Sequence, residues 1–301
     1  MLAFGLAAAS CTSVVEIKAR AEGPATTTTS VTPGTLSSRT ESELDEAADD
    51  FVAEGCDRKT IGEESGPLEV VYAVRNGRLA TTPCLGEASD VVVAAWNDLA
   101  QITPPQLIAG VTLVAGFDDA ASDTLAFAVP IGDDSDEHLI AVGIFSAIDD
   151  PAELRLTMAH ELAHVFTQTS DQIDVAFFAE ECDTFFNGFG CFQSDAYMTE
   201  WIDLFWPAAE LATLPGDHAA DIEGGDRRCE FDAGFPGSYA ASHPEEDFAE
   251  SFSAYLFDVE MPAGFDERLA FFDDHPEFAA MRQAIRRTGD PTPPGNFDEC
   301  G

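Results

Sequence analysis

Between Asp150 and Gln168 the chain reads Asp-Pro-Ala-Glu-Leu-Arg-Leu-Thr-Met-Ala-His-Glu-Leu-Ala-His-Val-Phe-Thr-Gln. No other stretch limits the fold as tightly, because its local signals and its chemistry require the same helix. Asp150 is an N-cap residue, Pro151 suits the first helical position, and Glu153 stands where a capping-box carboxylate reaches back to free N–H groups. Leu154, Met158, Leu162, Val165 and Phe166 then form an apolar stripe at helical spacing. With about 3.6 residues per turn, His160 and His164 project from one face a single turn apart, while Glu161 is turned about 100° round the axis. Two imidazoles so placed can reach one metal ion, and a carboxylate beside them can act as a base. Hydrolytic zinc sites use three protein ligands, keep a position for water and lower its pKa. The two histidines are therefore one ligand short.

Val165 to Ser170 contains neither the Gly nor the His that a metzincin helix needs at this point, so the third ligand is expected further on. Ser242 to Leu256 supplies a second amphipathic helix, opening on a Ser-x-x-Glu capping pattern and carrying Phe248, Phe252 and Tyr255 at helical spacing. Glu246 and Glu250 lie four apart on one face, where like charges repel unless a cation or a donor stands beside them. A plainer reading makes them part of a solvated acidic face.

His-Glu-Leu-Ala-His followed by Glu246-Asp-Phe-Ala-Glu250 resembles the paired motifs of the gluzincins, most of all the anthrax lethal factor type of catalytic domain. The resemblance implies His160, His164 and Glu246 as zinc ligands and Glu161 as the residue that activates water. It also implies Glu250 as the brace of a ligand histidine, and Tyr239, seven residues before Glu246, as a catalytic assistant. It covers two short motifs and one tyrosine. The 82-residue step from His164 to Glu246 exceeds the family's usual separation and implies an insertion over residues 170–240. His243 and His218 are reserve ligands in helix-start and turn contexts, and His138 and His275 are expected at the surface.

The charge excludes some partners. Fourteen Lys and Arg against 56 Asp and Glu give a net charge of −42, which repels nucleic acid and anionic membrane surfaces and favours cationic partners. Residues 1–10 are apolar and end in Ala8-Ala9-Ser10-Cys11, which resembles the end of a bacterial lipoprotein signal. Cys11 is then the lipidation site, and any membrane association is through that lipid. Removing Cys11 from seven cysteines leaves an even set. Sequence proximity pairs Cys56 with Cys84, Cys182 with Cys191 and Cys229 with Cys300, as suits an exported protein.

Residues 11–50 are rich in Thr, Ser and Pro and read as a tether, followed by one folded domain over 51–290 and a tail over 291–301. Within the domain, Leu68–Val74 reads as a strand, Asp90–Ile102 as a helix, and Leu107–Gly116, Thr124–Ile131 and Leu139–Phe145 as further strands. By resemblance to zincins the last of these is the edge strand, pairing with an extended substrate through Ile140, Ala141, Val142 and Gly143. Gly132–Glu137 is read as a solvated turn rather than a calcium loop. The aromatic clusters of 170–240 are expected to cover the cleft or build a second lobe, and Asp266–Phe272 and Pro276–Arg287 to be helices. The expected fold is α+β and zincin-like: a small mixed sheet with the active-site helix, then a mainly helical second lobe. The expected function is zinc-dependent hydrolysis of a peptide or protein substrate, and the alternative is a catalytically inactive zincin-fold binding or surface protein.

Overall fold

The computed structural model describes residues 68–120, 124–131, 134–215, 220–231, 234–261, 264–289 and 300. The expected signal segment, the tether, Cys11, Cys56 and His218 lie outside the described residues.

The sheet begins with β1 (Leu68–Arg75), β2 (Arg78–Leu79) and β3 (Leu85–Gly86). Asn76 and Gly77 join β1 to β2 with positive φ at both positions, the requirement of a two-residue Asn-Gly hairpin turn. Helices α1 (Asp90–Ala100) and α2 (Pro105–Ile108) precede β4 (Val111–Phe117), β5 (Ala126–Ile131) and β6 (Asp134–Gly143). The strand order is β2-β1-β4-β6-β5 with β3 also on β1; β4 and β6 run parallel and the other pairs antiparallel.

This order corrects the expected edge. The strand ahead of the expected metal-binding helix, β6, lies inside the sheet between β4 and β5, and among the described residues the edge belongs to β5. Leu139, Ile140, Ala141 and Val142 are all buried, the unbroken apolar run of a strand covered on both faces. In β5, Phe127 and Val129 are half-buried and Pro130 is exposed, and a proline cannot donate to a central ladder. The expected turn over 132–137 also differs: β6 starts at Asp134, and the Asp136 carboxylate accepts hydrogen bonds from Ser170 N and Oγ, both at 2.8 Å.

After β6 come α3 (Ile144–Asp149), α4 (Pro151–Thr167) and the hairpin of β7 (Ile173–Val175) and β8 (Gly190–Phe192). Helices α5 (Tyr197–Phe205), α6 (Ala208–Leu211), α7 (Ile222–Phe231), α8 (Pro244–Leu256), α9 (Asp266–Asp273) and α10 (Pro276–Thr288) follow. The molecule is a mixed α+β structure with a small mixed sheet and ten α-helices among the described residues. None of these helices is long and apolar enough to cross a membrane.

Alternation along β1 divides the interior. Val70, Tyr72 and Val74 join Val92 and Trp96 of α1 and Leu154, Met158 and Leu162 of α4 in the main core. Val71 and Ala73 face a smaller cluster with Leu113, Leu139 and Ala141. The main core continues into the helical part, where Phe166 of α4 meets Phe252 at 5.2 Å and Phe278 at 5.5 Å. Aromatics of 170–240 take part: Trp201 packs on Phe248 and Phe271, and Trp206 on Phe235.

The bridges Cys182–Cys191 and Cys229–Cys300 form as expected. Cys84 is disulfide-bonded too, with a partner outside the described residues. Such bonds form and persist in an oxidising compartment, in keeping with export. Two histidines expected at the surface are not there. His138 is buried in β6, opposite Val111 and Pro130, and His275 sits half-buried before α10 against Phe271, Tyr197 and Phe278.

Candidate metal centre

The centre is built where α4 and α8 pack together. Asp150 caps α4, its carboxylate accepting from Glu153 N at 3.1 Å, with Pro151 in the first turn. The cap of α8 is not the expected Ser242 but His243, whose Nδ1 accepts from Glu245 N at 3.3 Å. Pro244 explains the shift, since it suits the first helical position and forces the residue before it into an extended conformation. His243 is consequently buried rather than exposed. As a reserve ligand it is not among the converging groups.

Those groups are His160, His164 and Glu246. His160 Nε2 stands 3.0 Å from His164 Nε2 and 3.2 Å from Glu246 Oε2, and His164 Nε2 stands 3.5 Å from the same oxygen. Two donors on one four-coordinate ion with bonds of about 2.0 Å are about 3.3 Å apart. The triangle therefore has the size such an ion needs. Glu246 Oε2 is buried without an aligned hydrogen bond, although both nitrogens are close. A cation in the middle of the triangle would give that oxygen a partner.

The local field favours positive charge at this point. Burial pushes the His160 imidazole towards neutrality, but Glu246 and Glu250 overcome it and raise its pKa well above the ordinary value. Burial likewise opposes protonation of His164, and Glu246 outweighs it. The Glu246 carboxyl is raised by burial, yet His164 and His160 hold it well below the usual carboxylate range. Protons and metal ions compete for such a site.

No protein family, curated protein or solved structure matches this chain. Its chemistry is read from its own residues. The structure places Glu161, Glu250 and Tyr239 around the triangle. Glu250 Oε1 lies 3.0 Å from Nδ1 of His160, behind the face that joins the triangle. Tyr239 stacks on His160 with ring centroids 6.2 Å apart, close enough to the Glu246 carboxylate to feel its charge. Burial, then the Glu246 and Glu161 carboxylates, push its phenol well above the ordinary pKa. Burial also raises Glu161, partly offset by the two imidazoles, and its carboxylate takes the backbone N–H of Ala128 on the edge strand β5.

Residues that the sequence did not single out hold α8 in place from both sides of Glu246. Glu245 Oε1 accepts from Gln168 Nε2 at 3.1 Å and from Asn187 Nδ2 at 3.2 Å. Asp247 is fully buried and accepts from Trp201 Nε1 at 3.0 Å, Trp206 Nε1 at 2.9 Å and Arg268 Nε at 3.0 Å. In the sequence, Glu245-Glu246-Asp247 reads as acids suited to a helix N-terminus. What marks the outer two as structural is the partners that find them, Gln168 and Asn187 for Glu245 and two tryptophans with Arg268 for Asp247.

Proposed function

We propose that the chain is an exported zinc-dependent peptidase of the gluzincin type, with His160, His164 and Glu246 as ligands. The observation that carries this reading is the position of Glu161. It adjoins the ligand triangle without belonging to it, and its carboxylate bonds to the edge strand. A purely metal-holding site has no use for that carboxylate. Zinc bound there would supply Lewis acidity and lower the pKa of a water molecule.

The remaining roles belong to the chain. Glu161, whose carboxyl burial raises above its ordinary pKa, would take the proton of the attacking water and deliver it to the departing amine. Tyr239 stays protonated and can donate its hydroxyl hydrogen to an oxygen gaining negative charge. The side of β5 away from β6, which pairs with no other strand among the described residues, could take an extended peptide beside Glu161. Lipid on Cys11 would keep the exported domain at a membrane surface, and the disulfides suit that destination.

Glu161→Gln preserves size and helix propensity while removing the base. Metal content and thermal stability should stay at wild-type level while hydrolysis of a protein substrate falls by about 10²-fold or more. A wild-type protein that holds metal and cleaves nothing in a broad peptide library would instead be a binding protein.

A further inference from the structure

We propose that the hairpin carrying β7 and β8 is a docking surface for cationic amphipathic polypeptides. Four large apolar side chains stand in solvent on it: Val175 is 71% exposed, Phe177 and Phe178 65% each, and Phe189 47%. Exposed apolar groups gathered in one element mark interaction sites. Here their backbone is fixed. The Glu181 carboxylate accepts from Phe177 N at 2.9 Å and Phe178 N at 3.2 Å, and Asn187 Oδ1 accepts from Phe189 N and Gly190 N, both at 3.1 Å. Cys182–Cys191 closes the loop between the strands. Aromatic rings mounted on so constrained a backbone lose little entropy when a partner covers them.

The charges around these rings select the partner. Asp171, Asp174, Glu180, Glu181, Asp183 and Asp195 are exposed on and beside the hairpin. From residue 156 to residue 226 the chain has no Lys or Arg. An apolar centre with an acidic rim fits a ligand that is apolar along one face and cationic along the other. A second copy of a chain with net charge −42 and an anionic membrane are both repelled.

The surface is joined to the metal centre. Asn187, whose side chain sets the backbone of Phe189, donates to Glu245, the residue next to the ligand Glu246. A polypeptide docked here is held beside the groups proposed to cut it. As a statement of substrate class the proposal rests on the peptidase reading; the docking itself does not.

The test uses the full chain carrying Glu161→Gln, so that nothing is consumed, and a fluorescent helix-forming peptide of leucine and lysine followed by anisotropy. Saturable binding that weakens with added salt is expected. Phe177→Ser with Phe178→Ser should weaken it by about tenfold or more, while Phe177→Leu with Phe178→Leu retains most of it. Phe231→Ser, at an exposed aromatic on α7, should leave it unchanged. Equal affinity for the serine variant, or for the matching leucine and glutamate peptide, would overturn the proposal. So would peptide-independent dimerisation, or adsorption to zwitterionic vesicles, that the serine variant abolishes while the peptide does not bind. Should the peptide bind the hairpin while the wild-type metalloprotein leaves it and all other substrates intact, docking stands and the peptidase reading fails. Hydrolysis of generic substrates without peptide binding would overturn the docking and leave the peptidase reading standing.

Discussion

Glu250 and Tyr239 reach the same imidazole from different sides, and their substitutions should behave differently. Glu250 sits 3.0 Å from Nδ1 of His160, where its charge makes the ring more basic. Glu250→Ala should weaken metal affinity roughly tenfold or more, as loss of a ligand's hydrogen-bond partner generally does, with Glu250→Gln recovering part of it. Competition with a chromophoric chelator measures both, and unchanged affinity would make Glu250 a surface charge. Tyr239→Phe keeps the stacked ring but removes the hydroxyl; metal affinity should hold, and on the peptidase reading kcat should fall about tenfold or more. At this scale the sequence was informative because His160, Glu161 and His164 obey helical spacing, and because Glu246 and Glu250 repeat it. It could not show Glu245, Asp247 or Ala128, whose roles depend on Asn187, Arg268 and β5 arriving from elsewhere in the chain.

Helix α8 is held by more than its apolar face, and its stability should reflect that. Asp247 and Arg268 form a buried ion pair completed by two indole donors. Asp247→Ala would strand the guanidinium and should cost about 3 kcal/mol or more in urea unfolding. At the other end of the helix, Arg286 holds the Asp258 carboxyl below the usual range, assisted by Arg282 and opposed by partial burial. An acid whose folded-state pKa is depressed adds stability that is complete above its unfolded value and is lost as pH falls through the folded one. Asp258→Asn should therefore lower Tm by about 2 °C at neutral pH, a deficit that begins to shrink below the ordinary aspartate pKa of about 4 and disappears only once the pH has fallen through the lower folded-state pKa. Most helices and strands were legible from caps and apolar runs, although Leu107 and Ile108, expected in a strand, belong to α2, which Pro105 opens. Neighbours were not, and β6 illustrates why: its buried run identified a strand, while its place inside the sheet was decided by β5 returning along its far side.

For the molecule as a whole, a net charge of −42 is a source of self-repulsion that salt relieves. Tm should rise between low and moderate sodium chloride, most steeply where the screening length falls through about 10 Å. A Tm that falls with salt would show attractive surface pairs outweighing the repulsion. The sequence disclosed this property fully, since it depends on composition and not on arrangement. The Cys229–Cys300 bridge has a consequence of another kind. It makes residues 229–300 a closed covalent ring that contains the helix bearing Glu246. One cut by a protease anywhere in that ring opens it without parting the molecule. Nicked protein should run as one band on a denaturing gel without reductant and as two with it. A protein that works among proteases can thus be cut within this ring and still remain one covalent assembly.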